Sequence, residues 1–151
     1  MQRYDIIVVF LRDILMPKFT VEERLDQSLK RSKANVFLRK DFDKLGGYDQ
    51  VGRALREATK KGKLVKAGYG VYVKARESSI SGKPVPVISL VEVGLQALEK
   101  LGVKADVGSS ARAYRDGTST QVPMAAVVGV GKARVSRRLG FGNKTIRYEK
   151  T

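Results

Sequence analysis

From Thr20 onward, apolar residues recur at helical spacing, break at a pair of glycines, and then give way to strand-like runs. Val21, Leu25 and Leu29 fall at four-residue intervals, which places them on one stripe of a first helix ending near Arg31. Thr20, with Glu23 three residues later, forms a capping box at its start, and Lys30, Arg31 and Lys33 gather near its negative end. Ala34 to Phe37 reads as a short apolar strand, and Arg39 to Leu45 as a second short helix burying Phe42 and Leu45. Gly46-Gly47 supplies a turn, because a glycine enters positive φ without a Cβ clash. A third helix is predicted from an N-cap at Asp49 to Lys61, stopped by Gly62. Val51, Ala54, Leu55 and Ala58 fall on one face of it and Arg53, Arg56 and Lys60 on the other. The run KLVKAGYGVYVK then predicts two strands, Leu64 to Ala67 and Val71 to Lys74, joined across Gly68-Tyr69-Gly70. Helices, turn, basic helix and ribbon in that order are a winged helix-turn-helix.

The second half is less regular. Residues 77–88 are rich in Gly, Ser and Pro and read as a linker. Ser89 and Glu92 form another capping box, opening a helix that aligns Leu90, Gly94, Leu98 and Leu101 and stops at Gly102. Met124 to Val130, Arg134 to Leu139 and Thr145 to Glu149 read as strands, the last two joined across Gly140-Phe141-Gly142-Asn143. In Arg134 to Leu139 neither alternating face is clean, so the register stays open. The expectation is an α+β protein: a winged-helix domain over 20–76, a linker over 77–88, and a small mixed α/β extension over 89–151 with a C-terminal β-hairpin. Whether that extension packs on the winged helix is left open by the pattern. Residues 1–19 read as an N-terminal extension; MPKFTVEERL, from Met16, reads like a natural start, so residues 1–15 are expected to be an upstream extension or accessory strand dispensable for the fold.

Composition narrows the function. The 151 residues are 42% hydrophobic, enough for one moderate core or two small ones. They carry 30 Lys and Arg against 15 Asp and Glu, a formal net charge of +15, which concentrates polyanions around the molecule. Arg53 to Lys74 holds seven basic residues against Glu57, and Lys132 to Lys150 seven against Glu149. A basic run alone is a solvated surface; the first run gains meaning by coinciding with a helix-turn-helix. Zero Cys and zero His remove thiol nucleophiles, imidazole bases, zinc fingers and most transition-metal sites. GVGKA at Gly129 to Ala133 lacks the first glycine and the Ser or Thr of a phosphate loop. Asp41 and Asp43 diverge on a helix, and Tyr114, Arg115 and Asp116 have no histidine to assist them. The expectation is a protein that is not an enzyme and needs no cofactor or metal. The one strongly apolar run, Ile6 to Leu11, is too short to span a membrane and lacks the features of a signal peptide, so a soluble, cytoplasmic protein is expected.

Double-stranded DNA is the leading partner. Gln50 and Arg53, early on the third helix, are candidates for reading base edges: a guanidinium grips guanine O6 and N7, an amide pairs with adenine N6 and N7. Arg56 and Lys60 lie farther along, at positions suited to phosphates. Lys66 and Tyr69, on the wing, suit the sugar-phosphate backbone, whereas Tyr72 reads as core. Arg39, Lys40, Arg137, Arg138, Lys144 and Arg147 are additional candidates for phosphate or partner contacts; charges on an edge hairpin equally block strand-to-strand aggregation. Two rival classes are an RNA-binding or ribosome-associated module, disfavoured by 7% aromatic residues and no Trp, and a winged-helix protein adaptor.

The run VFLRKDFDKLGGYDQVGRALREATKKGKLVKAGYGVYVKA and the stretch AYRDGTSTQVP resemble AbiEi-family antitoxins, members of abortive-infection type IV toxin-antitoxin pairs. The resemblance covers residues 20–150, and its most specific pieces are GYGVY and Ser119 to Pro123. It implies a protein that binds operator DNA upstream of its own genes and counters a nucleotidyltransferase toxin without a stable complex. It also implies DNA contacts at Arg53, Arg56, Lys66 and Tyr69.

Overall fold

The computed structural model describes residues 19–118, 120 and 125–151. The predicted N-terminal extension lies outside them apart from Phe19, as do Met124 and the stretch Ser119 to Pro123 apart from Thr120. Thr20 opens helix α1 (Val21–Arg31) as its sequence predicts: its hydroxyl accepts the Glu23 amide hydrogen at 3.2 Å and donates to the Glu23 carboxylate at 3.1 Å. Strand β1 (Val36–Leu38) is buried throughout, and a 3-10 helix (Arg39–Leu45) follows, its start fixed by Asp41, which accepts the Leu38 amide hydrogen at 2.8 Å. Helix α2 (Tyr48–Lys60) begins two residues earlier than predicted, with Gly47 rather than Asp49 at the N-cap. Gln50 makes this possible: its Oε1 accepts the Gly47 amide hydrogen at 3.2 Å, leaving Asp49 exposed in the first turn, where a negative charge suits the helix dipole. The helix closes when the Lys63 amide bonds back to the Ala58 carbonyl at 2.9 Å, over Gly62 at φ 76.

Strands β2 (Leu64–Gly68) and β3 (Val71–Glu77) form the wing, with Tyr69 and Gly70 at its turn. β3 is central: it pairs antiparallel with β1 on one side and β2 on the other, and farther along with β4 (Pro84–Pro86). The segment read as a linker therefore contributes a ladder strand, because its turn residues close a hairpin rather than a tether. Alternate residues of this sheet enter two different cores. Phe37, Leu64 and Tyr72 join Leu25, Leu29, Phe42, Val51 and Leu55 beneath α1 and α2. Val36, Leu38, Val65, Val71 and Val73 face the other way, into a core built with the second half of the chain.

That second half starts with helix α3 (Leu90–Lys100), capped by Ser89, which accepts the Glu92 amide hydrogen at 3.2 Å. Its buried stripe is Val93, Gly94, Ala97 and Leu98; the predicted edge residues Leu90 and Leu101 are only half-buried. Gly94 lets the helix lie close to the strands beneath, since a Cβ there would stand 2.9 Å from Ile146 Cδ1 and 3.0 Å from Val128 Cγ2. Strand β5 (Asp106–Val107) and helix α4 (Ser109–Arg115), neither predicted, precede β6 (Val127–Gly131), β7 (Gly140–Phe141), β8 (Lys144–Thr145) and β9 (Arg147–Lys150). The sheet order is β5-β6-β9, with β6 and β9 parallel, and β7 pairs with β8 in a separate hairpin. Two predicted strands are corrected here. Arg134 to Leu139 has no ladder partner and is irregular, although Val135, Arg137 and Leu139 lie inward while Arg134, Ser136 and Arg138 are exposed. Thr145 to Glu149 divides at Ile146, where the chain leaves β7 for β6: the Ile146 amide bonds to Leu139 and the Arg147 amide to Ala126. The whole is α+β, and no helix among the described residues is long and apolar enough to cross a membrane.

Candidate nucleic-acid interface

Burial of Val51, Gly52, Ala54, Leu55 and Ala58 turns the opposite side of α2 to solvent. Arg53, Arg56 and Lys60 are exposed there, and none of them forms a hydrogen bond or ion pair among the described residues. The neighbouring cations are already matched. Asp26 of α1 pairs with Lys63 at 2.9 Å and with Lys30 at 3.1 Å, and Glu22 stands 3.9 Å from Lys61. Hydrogen bonds to Lys63 first, and then to Lys30, hold the Asp26 carboxyl below its usual value. The acids of α1 thus neutralise the exit from α2 and leave its middle with surplus charge. Gln50 is exposed on the same helix, but its carbonyl oxygen already caps the helix start, so a two-point grip on adenine would share an acceptor that is bonded within the fold.

Arg39 joins the start of this helix to the tip of the wing. Its backbone amide donates to the Gly70 carbonyl at 2.9 Å, and its guanidinium donates to the Tyr48 carbonyl at 2.6 Å. The guanidinium carbon also lies 3.7 Å from the centre of the Tyr48 ring, which is itself 68% exposed. Gly52 makes room for this, since a Cβ on it would come within 2.8 Å of the Arg39 guanidinium. Arg39 is therefore engaged within the fold, and it holds the wing turn and the first turn of α2 at one end of the molecule. Tyr48 was not foreseen from sequence; its signal is an aromatic directly after the double glycine, opening a helix whose apolar face begins only at Val51.

The wing turn is in turn held by the C-terminal half. Arg137 donates to the Tyr69 carbonyl at 2.8 Å, and the Tyr148 hydroxyl donates to the Arg137 carbonyl at 2.6 Å. Gly68 packs backbone to backbone on Arg138, because a Cβ at Gly68 would stand 2.7 Å from the Arg138 carbonyl oxygen. Between the wing and the β7–β8 hairpin runs an open groove of about 530 Å³, lined by Lys66, Tyr69, Arg138 and Lys144 among others. Tyr69 is 81% exposed beside it. Two pairs that sequence reading assigned to separate halves, Lys66 and Tyr69 on the wing and Arg138 and Lys144 near the C-terminus, are brought together here. Lys40, exposed on the 3-10 helix, and Arg147, exposed on β9, do not line it.

Among the described residues no cluster of three or more acidic, His or Cys side chains could hold a metal ion. The model of one protein family matches residues 21–151, from α1 through β9. The chain belongs to the DUF6088 family. That family is described as one of unknown function, and its span takes in α2, the wing and the groove alike. No curated protein matches the chain.

Proposed function

We propose that this member of the DUF6088 family is a DNA-binding transcription regulator that lays α2 in the major groove and its wing against the neighbouring backbone. The observation that carries this reading is the open face of α2, where Arg53, Arg56 and Lys60 are exposed and, among the described residues, unpaired beside a wing tied to the same end of the molecule. Arg53, nearer the helix start, is the base reader in this arrangement. Arg56, Lys60, Lys66 and Tyr69 engage phosphates and sugar. The likeness to AbiEi antitoxins extends the reading to an autoregulatory antitoxin in the cytoplasm, countering a nucleotidyltransferase toxin without a stable complex.

Fluorescence-anisotropy titrations of the duplex upstream of the gene, and of a scrambled duplex, test the reading. With about six phosphates contacted, log K falls with log salt at a slope near five. Arg53→Ala costs about 1–3 kcal/mol on the cognate duplex and relaxes sequence preference, while Lys60→Ala weakens all sequences alike and flattens the slope by about one. Equal losses on both duplexes for Arg53→Ala would remove it as a base reader, and no binding to either duplex would remove the reading itself. The antitoxin extension is tested by co-expression with the nucleotidyltransferase encoded beside the gene, if one is present, with growth rescue as the expected result.

A further inference from the structure

The second basic stretch of the chain, Lys132 to Lys150, has no role in a helix-and-wing contact, yet it does not lie apart from one. Lys66 from the wing and Arg138 and Lys144 from the C-terminal half line one groove, and among the described residues no carboxylate lines it with them. All three are exposed, and none of their side chains has a hydrogen bond or ion pair among the described residues. Exposed cations gathered on one groove raise the local positive potential and attract a polyanion. The two walls are held in fixed relation: Arg137 grips the Tyr69 carbonyl at 2.8 Å, and the Gly68 and Arg138 backbones touch without intervening side chains. The groove is open at about 530 Å³, a channel rather than an enclosed cavity, and the exposed Tyr69 ring at its edge offers an apolar surface to a sugar.

From this we infer that the wing and the β7–β8 hairpin form one composite clamp for a phosphodiester strand, so that the C-terminal half is part of the nucleic-acid interface. The inference rests on the DNA-binding reading above and deepens it. The strand belongs to the duplex that α2 enters, because Arg39 ties the wing turn bordering the groove to the first turn of that helix. Arg138 and Lys144 are phosphate contacts, and Arg137 is a positioning residue that sets the wing against the hairpin.

The test uses the full chain. Arg138→Ala combined with Lys144→Ala is compared with wild type and with Lys83→Ala combined with Lys104→Ala, which removes the same charge from exposed positions outside the groove. Anisotropy on cognate and scrambled duplexes across several salt concentrations is expected to show the groove variant losing about two from the slope of log K against log salt, equally on both duplexes. The control variant is expected to change the slope by less than half as much. Acetylation of wild-type Lys144 by a succinimidyl ester, read by mass spectrometry, is expected to fall several-fold when duplex is present, which stands even if a variant folds poorly. Wild-type binding with an unchanged slope in the groove variant and undiminished Lys144 acetylation would overturn the clamp and leave the DNA reading intact. Absence of any duplex binding by wild type would overturn both. Tighter binding of a structured RNA, with Lys144 protected only by it, would overturn the assignment to DNA.

Discussion

Arg39, one basic residue among thirty, has its charge committed inside the fold, between the Tyr48 carbonyl and the face of the Tyr48 ring. Arg39→Ala should therefore destabilise the protein by about 1–3 kcal/mol in urea unfolding, well beyond the fraction of a kcal/mol expected for a surface cation. A full loss of DNA affinity with unchanged stability would instead make it a contact residue. Tyr148 carries a second such role, donating to the Arg137 carbonyl at 2.6 Å. Burial pushes its phenol above the ordinary value, with the Arg137 charge acting in the opposite direction. The folded state thus holds this proton more tightly than the unfolded one. Its contribution is complete below about pH 10, the unfolded value, and is lost as pH rises through the higher folded value. Tyr148→Phe should cost about 0.5–1.5 kcal/mol at neutral pH and remove that part of the alkaline decline, as followed by circular dichroism. The amphipathic pattern of α2 identified which of its cations stand outside, but pattern says nothing about carbonyl partners. For that reason Arg39, Arg137 and Gln50 read as surface groups in sequence, when each bonds to backbone far from itself or at a helix start.

Between elements, contact is set by glycines as much as by apolar side chains. Gly68 and Arg138 meet backbone to backbone, so a methyl group at position 68 has a carbonyl oxygen in its way, and a backbone cannot rotate aside as a side-chain tip can. Gly68→Ala should cost about 1–3 kcal/mol and separate the wing from the C-terminal segment, seen as faster hydrogen exchange at the Tyr69 and Gly70 amides. Most elements of the first half were legible because a capping box at Thr20, glycine breaks and periodicity agreed. The double glycine nevertheless turns with neither residue in the predicted left-handed region, Gly46 being extended at φ 171 and Gly47 lying at φ -66, and the cap of α2 falls on Gly47. In the second half these signals do not agree. Arg134 to Leu139 alternates as a strand would but finds no neighbour to pair with, and the chain changes partners at Ile146 within a run that looks continuous. Helix α4 is short and has no buried residue, so no periodicity announced it.

The whole molecule is organised around a sheet whose two faces serve different cores. A fragment covering only residues 19–88 would expose Val36, Leu38, Val65, Val71 and Val73, all nearly or fully buried in the complete chain. At about 1.5–3 kcal/mol for each such side chain the loss is on the order of 10 kcal/mol, comparable with the total stability of a typical domain. That fragment should fail to melt cooperatively, whereas a well-dispersed NMR spectrum from it would show that the winged helix stands alone. Sequence divided the chain at residue 77 because composition changes there; a shared core leaves no mark on composition, only on which alternate residues are apolar on both sides of a strand. The strap from Gly70 through Arg39 to Tyr48 has a consequence for association itself. The strap's bonds fix the wing turn against the start of α2 without any partner present, so, on the proposed function, a duplex would meet a preformed template. Encounter should then proceed without a slow rearrangement step, at rates governed by diffusion and attraction of charge.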